Sequence, residues 1–227
     1  LVLCCLGGYH AMMNWQRQQQ ELFDEKLREQ LDPMTQEWEE KVLALEEEKS
    51  RLLEDTASKQ EVDHLKKRVN KLQLEKNKLQ KAIQHISKTE LVTKYGMGPH
   101  YVEIKLAFDP QAALDGTGDR IVLEMASEED MPHAVFWFLS QVDLGLFNGC
   151  SFHRNAGHVI QGGPAPNFLS PQNPRLHQRF EDSGFNSILF QEYSPNYPHR
   201  QFTVGYAGRP GGPDFYISIQ DNTKNHG

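Results

Sequence analysis

From Val62 onward apolar residues recur at alternating spacings of three and four, at Val62, Leu65, Val69 and Leu72 and then at Leu79, Ile83 and Ile86. That repeat is a coiled-coil seam, whose apolar positions face a partner helix. Charged Lys76 holds one seam position, which costs stability but limits strand number or fixes register. Val62 and Val69 alternating with leucine favour two parallel strands. An earlier stretch, Trp38, Val42, Leu45 and Leu52, obeys the same rule, yet its phase would put Thr56 and Lys59 in the seam, so the register slips between the two. Helical throughout, residues 36–88 would make a rod of roughly 80 Å at 1.5 Å per residue. A solvated single helix held by Glu and Lys pairs is the competing reading. The run of consecutive heptads favours self-association as a homodimer, in which the stalk carries no chemistry.

After Gly96, Gly98 and Pro99 the periodicity switches to alternation. Val102, Ile104, Leu106 and Phe108 take one face of a strand, and Tyr101, Glu103 and Lys105 the other. A polar loop, DPQAALDGTGD, leads to a second alternating run through Ile121, Leu123 and Met125, which predicts an antiparallel pair. Pro132, preceded by the acidic SEED stretch, starts a helix whose apolar stripe is Val135, Phe136, Leu139 and Val142 and which stops near Gly145. Two late alternating runs, around Phe202 to Tyr206 and Phe215 to Ile219, are strands separated by proline-rich loop. The fold class is mostly β, with few helices.

Composition places a boundary between these two patterns. Eleven of the twelve prolines lie at or after Pro99, whereas residues 36–90 are built from Glu, Lys, Leu and Gln. The chain thus divides into a helical stalk, 16–94, and a globular domain, 95–227. A formal net charge of −7 and the lack of a basic stripe argue against a nucleic-acid surface. Three cysteines, two of them adjacent, make no disulfide framework and leave the compartment undetermined. The opening LVLCCLGGYHAMM has no initiating methionine, and its apolar run is far shorter than the ~20 residues that span a bilayer. Residues 1–15 read either as the tail of a truncated membrane or signal-anchor segment, with Cys4 and Cys5 as acylation candidates, or as a disordered start.

Residues 147–163, FNGCSFHRNAGHVIQGG, resemble the cyclophilin signature, in which one strand ends in Phe-His-Arg and the next in Gln-Gly-Gly. GYAGRPGGPDFYIS, from Gly205 to Ser218, resembles that family's later Gly-rich loop running into an aromatic strand. The order of elements matches as well, over Tyr101 to the end. The resemblance implies an antiparallel β-barrel capped by a helix, acting as a peptidyl-prolyl cis-trans isomerase on proline-containing polypeptides without a metal or other cofactor. It also implies a further strand, helix and closing strand beyond Gly227, so the barrel is expected to be incomplete here.

By the same resemblance Arg154 is catalytic. Gln161 orients peptide and arginine, and His158, Val159, Gly205, Asp214 and Tyr216 line the substrate groove. Rotating an X-Pro bond needs no nucleophile, only tighter binding of the twisted amide, and a cation donating to the prolyl nitrogen weakens amide resonance. Arginine suits that task because it stays charged and presents fixed donors. On alternation alone, Val159 and Tyr216 read equally well as barrel core, and Arg154 alone as a surface ion pair. Several departures bear on turnover. The turn after Arg154 is one residue short, His158 stands where phenylalanine floors the pocket, Asp214 replaces a glutamine, and Lys224 lies near the place of a tryptophan. A carboxylate at 214 is positioned to pair with Arg154 and withdraw it. His153 and His158 lack a third ligand for a metal, and neither GGP nor GRPGG opens a phosphate-binding helix. The reading is a coiled-coil-tethered isomerase that binds proline-containing segments; the alternatives are an inactive peptide-binding module and a coiled-coil scaffold.

Overall fold

A computed structural model of the chain describes residues 36–51, 59–108, 118–165 and 175–226. The expectations for residues 1–15, for the register slip near Thr56 and for the loop from Asp109 to Thr117 lie outside the described residues. The chain divides into two compact units, between Lys78 and Leu79.

In the first unit residues 36–51 are helical (α1), and α2, Lys59–Tyr95, begins. Exposed Glu and Lys pairs one turn apart line these helices, among them Lys41 with Glu37 and Lys71 with Glu75. Leu45 and Leu65, two of the seam leucines, are already buried within the single chain, while Leu74 is exposed. Among the described residues no helix is long and apolar enough to cross a membrane.

The second unit starts inside α2, ahead of the compositional boundary at Tyr95. Ile83, Ser87 and Leu91, one turn apart in succession, are all buried, and Leu91 belongs to the main core. Polar contacts flank that stripe: Gln84 Nε2 donates to Glu192 Oε1 (2.7 Å), Lys88 meets Glu129, and Lys94 Nζ lies 3.1 Å from Asp143 Oδ2. The last part of the apolar seam is therefore spent within this unit.

Strands β1, Tyr101–Lys105, and β2, Arg120–Glu124, form an antiparallel ribbon in which Val102 faces Leu123, both buried, while Tyr101, Glu103 and Lys105 are exposed. The strand expected to run to Phe108 stops at Lys105. Its partner begins at Arg120, so the Leu106 N–H to Asp119 carbonyl bond is the last rung, and Phe108 is exposed. Helix α3, Pro132–Asp143, opens on proline as expected. It is not a one-faced cap: Val135, Phe136, Phe138 and Leu139 enter the main core, while Trp137 packs into a second cluster with Phe180, Phe185 and Ile188. Its Gln141, fully buried, donates to the Phe185 carbonyl and accepts from the Tyr206 hydroxyl (2.7 and 2.8 Å).

The remaining strands are β3, Ser151–Asn155; β4, Val159–Gly163; β5, Val204–Tyr206; and β6, Phe215–Ser218. They make one antiparallel sheet in the order β3-β4-β6-β5. This sheet and the β1-β2 ribbon are separate ladders, so no closed barrel forms among the described residues, and these hold more helix than strand, against the expectation of a mostly β fold. The sheet's inner face is covered instead by α3 and the ribbon, around Phe138, Phe147, Phe152 and Phe215, whose rings meet mostly edge to face. Helix α4, Arg175–Ser183, is an element for which the sequence reading made no expectation; it buries Leu176 and Phe180, one turn apart. A short α5, Thr223–His226, carries exposed Lys224.

Candidate functional site

Strand register builds the site. Arg154 lies opposite Gln161, Gln161 opposite Tyr216, and Tyr216 opposite Gly205, so each of the four strands gives one residue to a single row. Directly opposed residues share a face, and with strands 4.7–4.9 Å apart the row spans roughly 14 Å. Alternation assigns the two faces. Ile217, Val204, Phe152 and Phe215 belong to the main core, so Val159, Gln161, Tyr216 and Gly205 point to the other side.

Arg154 reaches that side because β3 is bulged. Phe152 pairs with Gly162 and Arg154 with Gln161, leaving His153 as the extra residue. In a regular ladder Arg154 would follow Phe152 onto the core face; one inserted residue turns it outward. Arg154 is exposed, and its guanidinium Nη1 donates to Gln161 Oε1 at 3.0 Å. Gln161 Nε2 in turn donates to Asp214 Oδ2 at 2.6 Å, and His153 Nε2 lies 3.2 Å from the same oxygen. The expected Arg154–Asp214 pair is thus not made: the Gln161 amide stands between them, and the other side chain close to the carboxylate is His153.

Glycines admit two of these side chains. A Cβ on Gly205 would lie 2.7 Å from the Tyr216 hydroxyl oxygen, so the phenol lies against bare backbone. A Cβ on Gly163 would lie 1.8 Å from Asp214 Oδ1, so only glycine lets the carboxylate seat there. Partial burial pushes the Tyr216 hydroxyl above its usual range, and its oxygen lies 3.3 Å from His199 Nδ1. Val159, 5 % exposed, is buried opposite Ser218, two residues along β4 from Gln161. His158 sits in the turn between β3 and β4, where Gly157 takes φ +80°. Its ring Nδ1 lies 3.1 Å from the Ala156 carbonyl, and its own carbonyl accepts from Ile219 N–H and Asn222 Nδ2.

The structure therefore gathers Arg154, Gln161, Asp214, Tyr216 and Gly205 on or beside one row, with Val159 on the same face and His158 in the adjoining turn. His153 and His199 also belong to the arrangement. The first was read in the sequence only as a weak metal ligand, and the second, in a loop without periodicity, gave no signal. Among the described residues no cluster of His, Cys, Asp or Glu is placed to hold a metal ion. Burial pushes the Cys150 thiol up to about 11, so it is protonated at neutral pH and is a poor nucleophile. The arrangement offers a fixed cation, an amide and a phenol beside apolar surface.

A family model described as "Cyclophilin type peptidyl-prolyl cis-trans isomerase/CLD" matches residues 113–227, just over half of the chain. No curated protein and no solved structure matches it.

Proposed function

The chain belongs to the cyclophilin-type peptidyl-prolyl cis-trans isomerase family, and from that premise we propose that it binds proline-containing segments of other polypeptides and isomerises their X-Pro bonds. The observation that carries this reading is the exposed Arg154 guanidinium, held by Gln161 in a row with Tyr216. Rotation about an X-Pro bond faces a barrier of ~18–20 kcal/mol, from amide resonance. As the bond twists, the nitrogen lone pair leaves conjugation and becomes an acceptor. An N–H of Arg154 directed at that nitrogen binds the twisted amide more strongly than either planar form, which is the condition for catalysis. Val159 and the Tyr216 ring supply apolar wall for the prolyl ring, Gly205 leaves room for the phenol, and Gln161 fixes the guanidinium. No proton moves and no cofactor takes part. The stalk joins two copies through the Val62, Val69 and Leu72 stripe.

One observation favours the inactive-module reading instead. The polar ring of His158 stands where an apolar floor is expected, and it is engaged with the Ala156 carbonyl. The two readings separate in exchange spectroscopy on a proline peptide. Turnover by the chain that is lost in Arg154→Ala while the peptide still binds supports the isomerase. Binding without any turnover supports the module, and His158→Phe should then tighten that binding.

A further inference from the structure

Asp214 meets no cation of the catalytic row directly, yet its carboxylate is the end point of the row's hydrogen bonds. Arg154 has only donors, and an ionised carboxylate has only acceptors. Between them lies Gln161, whose side chain carries one of each kind. With Nη1 of Arg154 3.0 Å from Oε1 and Oδ2 of Asp214 2.6 Å from Nε2, the amide has one orientation that satisfies both neighbours. A flipped amide would set NH₂ against guanidinium and oxygen against carboxylate. Two further contacts hold the carboxylate: His153 Nε2 at 3.2 Å from Oδ2, and the bare Gly163 backbone against Oδ1. The bulge that turns Arg154 outward also puts His153 within reach of Asp214, so one backbone irregularity serves both ends of the chain of bonds.

We propose that Asp214 is a positioning residue for proline isomerisation: by accepting from Gln161, with His153 Nε2 close beside it, it locks the Gln161 amide with its oxygen toward Arg154, and so holds the guanidinium in one orientation. This rests on the isomerase reading above and reverses the role a carboxylate at this position would have as a competitor for the arginine. It acts on turnover rather than affinity, because a guanidinium free to wander still attracts the peptide but meets the twisted amide less often.

The test uses the full chain, with the side-chain amide of Gln161 followed by nitrogen-15 NMR and turnover of a proline peptide by exchange spectroscopy. In the unaltered chain the two Nε2 protons of Gln161 should be well separated in shift and slow to exchange. Asp214→Ala should collapse them toward free-amide positions, with kcat falling about tenfold and KM changing less than about twofold, as expected when an orienting hydrogen bond to a charged group is lost. Asp214→Asn keeps an acceptor and should restore most of both signals. Turnover unchanged or raised in Asp214→Ala overturns the inference, as do Gln161 resonances that stay in place in an active enzyme. A chain with no turnover at all overturns the isomerase reading itself and the role of Asp214 in it.

Discussion

His133, 1 % exposed, shares a 2.9 Å hydrogen bond between its Nδ1 and Ser87 Oγ and stacks on Phe190. Burial lowers its pKa from the usual 6.5 to about 3. Between those values the unfolded chain binds a proton that the folded ring refuses, so the stabilisation is complete above 6.5 and is lost as pH falls. The loss is about 1.4 kcal/mol per pH unit. Burial raises the Glu192 carboxyl, which works the opposite way: folded Glu192 holds its proton more readily, favouring the fold as pH falls through the carboxylate range. Urea melts between pH 7 and about 5 should show the decline, and His133→Phe should flatten it; an equal slope in the variant would assign the decline elsewhere. The sequence was uneven at this scale. Motif resemblance pointed to Arg154, Gln161 and Tyr216, which strand register sets in one row, because strand endings and aromatic positions are local patterns. It misassigned the partner of Asp214, because which groups converge on a carboxylate depends on a bulge and on Gly163, and neither leaves a mark on hydrophobic alternation.

Among the elements, the end of α2 joins the core that α3 and the sheet build. Leu91, 0 % exposed, sits in the same core as Phe138 and Phe215, whose strand also carries Tyr216. Leu91→Ala should destabilise the chain by ~2–5 kcal/mol, whereas Val122→Ala, on the exposed face of the ribbon, should stay within ~0.5 kcal/mol. Chemical denaturation of both reads the difference, and equal effects would mean that the helix end is not packed as described. The helix was legible as periodicity, but its last turns serve the core as well as continuing the seam, and a three-four repeat does not say which surface an apolar stripe meets. Helix α3 was legible from Pro132 and its stripe; its second buried side, at Trp137, was hidden because an almost uniformly apolar helix has no polar face to reveal its orientation. Helix α4 was not anticipated, although Leu176 and Phe180 stand one turn apart in the sequence.

At the scale of the whole molecule, helices precede a region that belongs to the cyclophilin-type isomerase family. With part of the seam buried in the second unit and Leu65 covered within one chain, self-association falls to the stripe around Val62, Val69 and Leu72. Sedimentation of the full chain at tens of micromolar should give a dimer that Val69→Asp with Leu72→Asp converts to monomer; a monomeric unaltered chain would show the seam to be satisfied internally. The central claim, that Arg154 drives rotation about X-Pro bonds, meets its most direct test in exchange spectroscopy of a proline peptide with the full chain and with Arg154→Ala. The account predicts cis-trans exchange well above the uncatalysed rate, falling by at least about tenfold in the variant while the peptide still binds. Exchange that is catalysed equally by Arg154→Ala, or not at all by the unaltered chain, would contradict it.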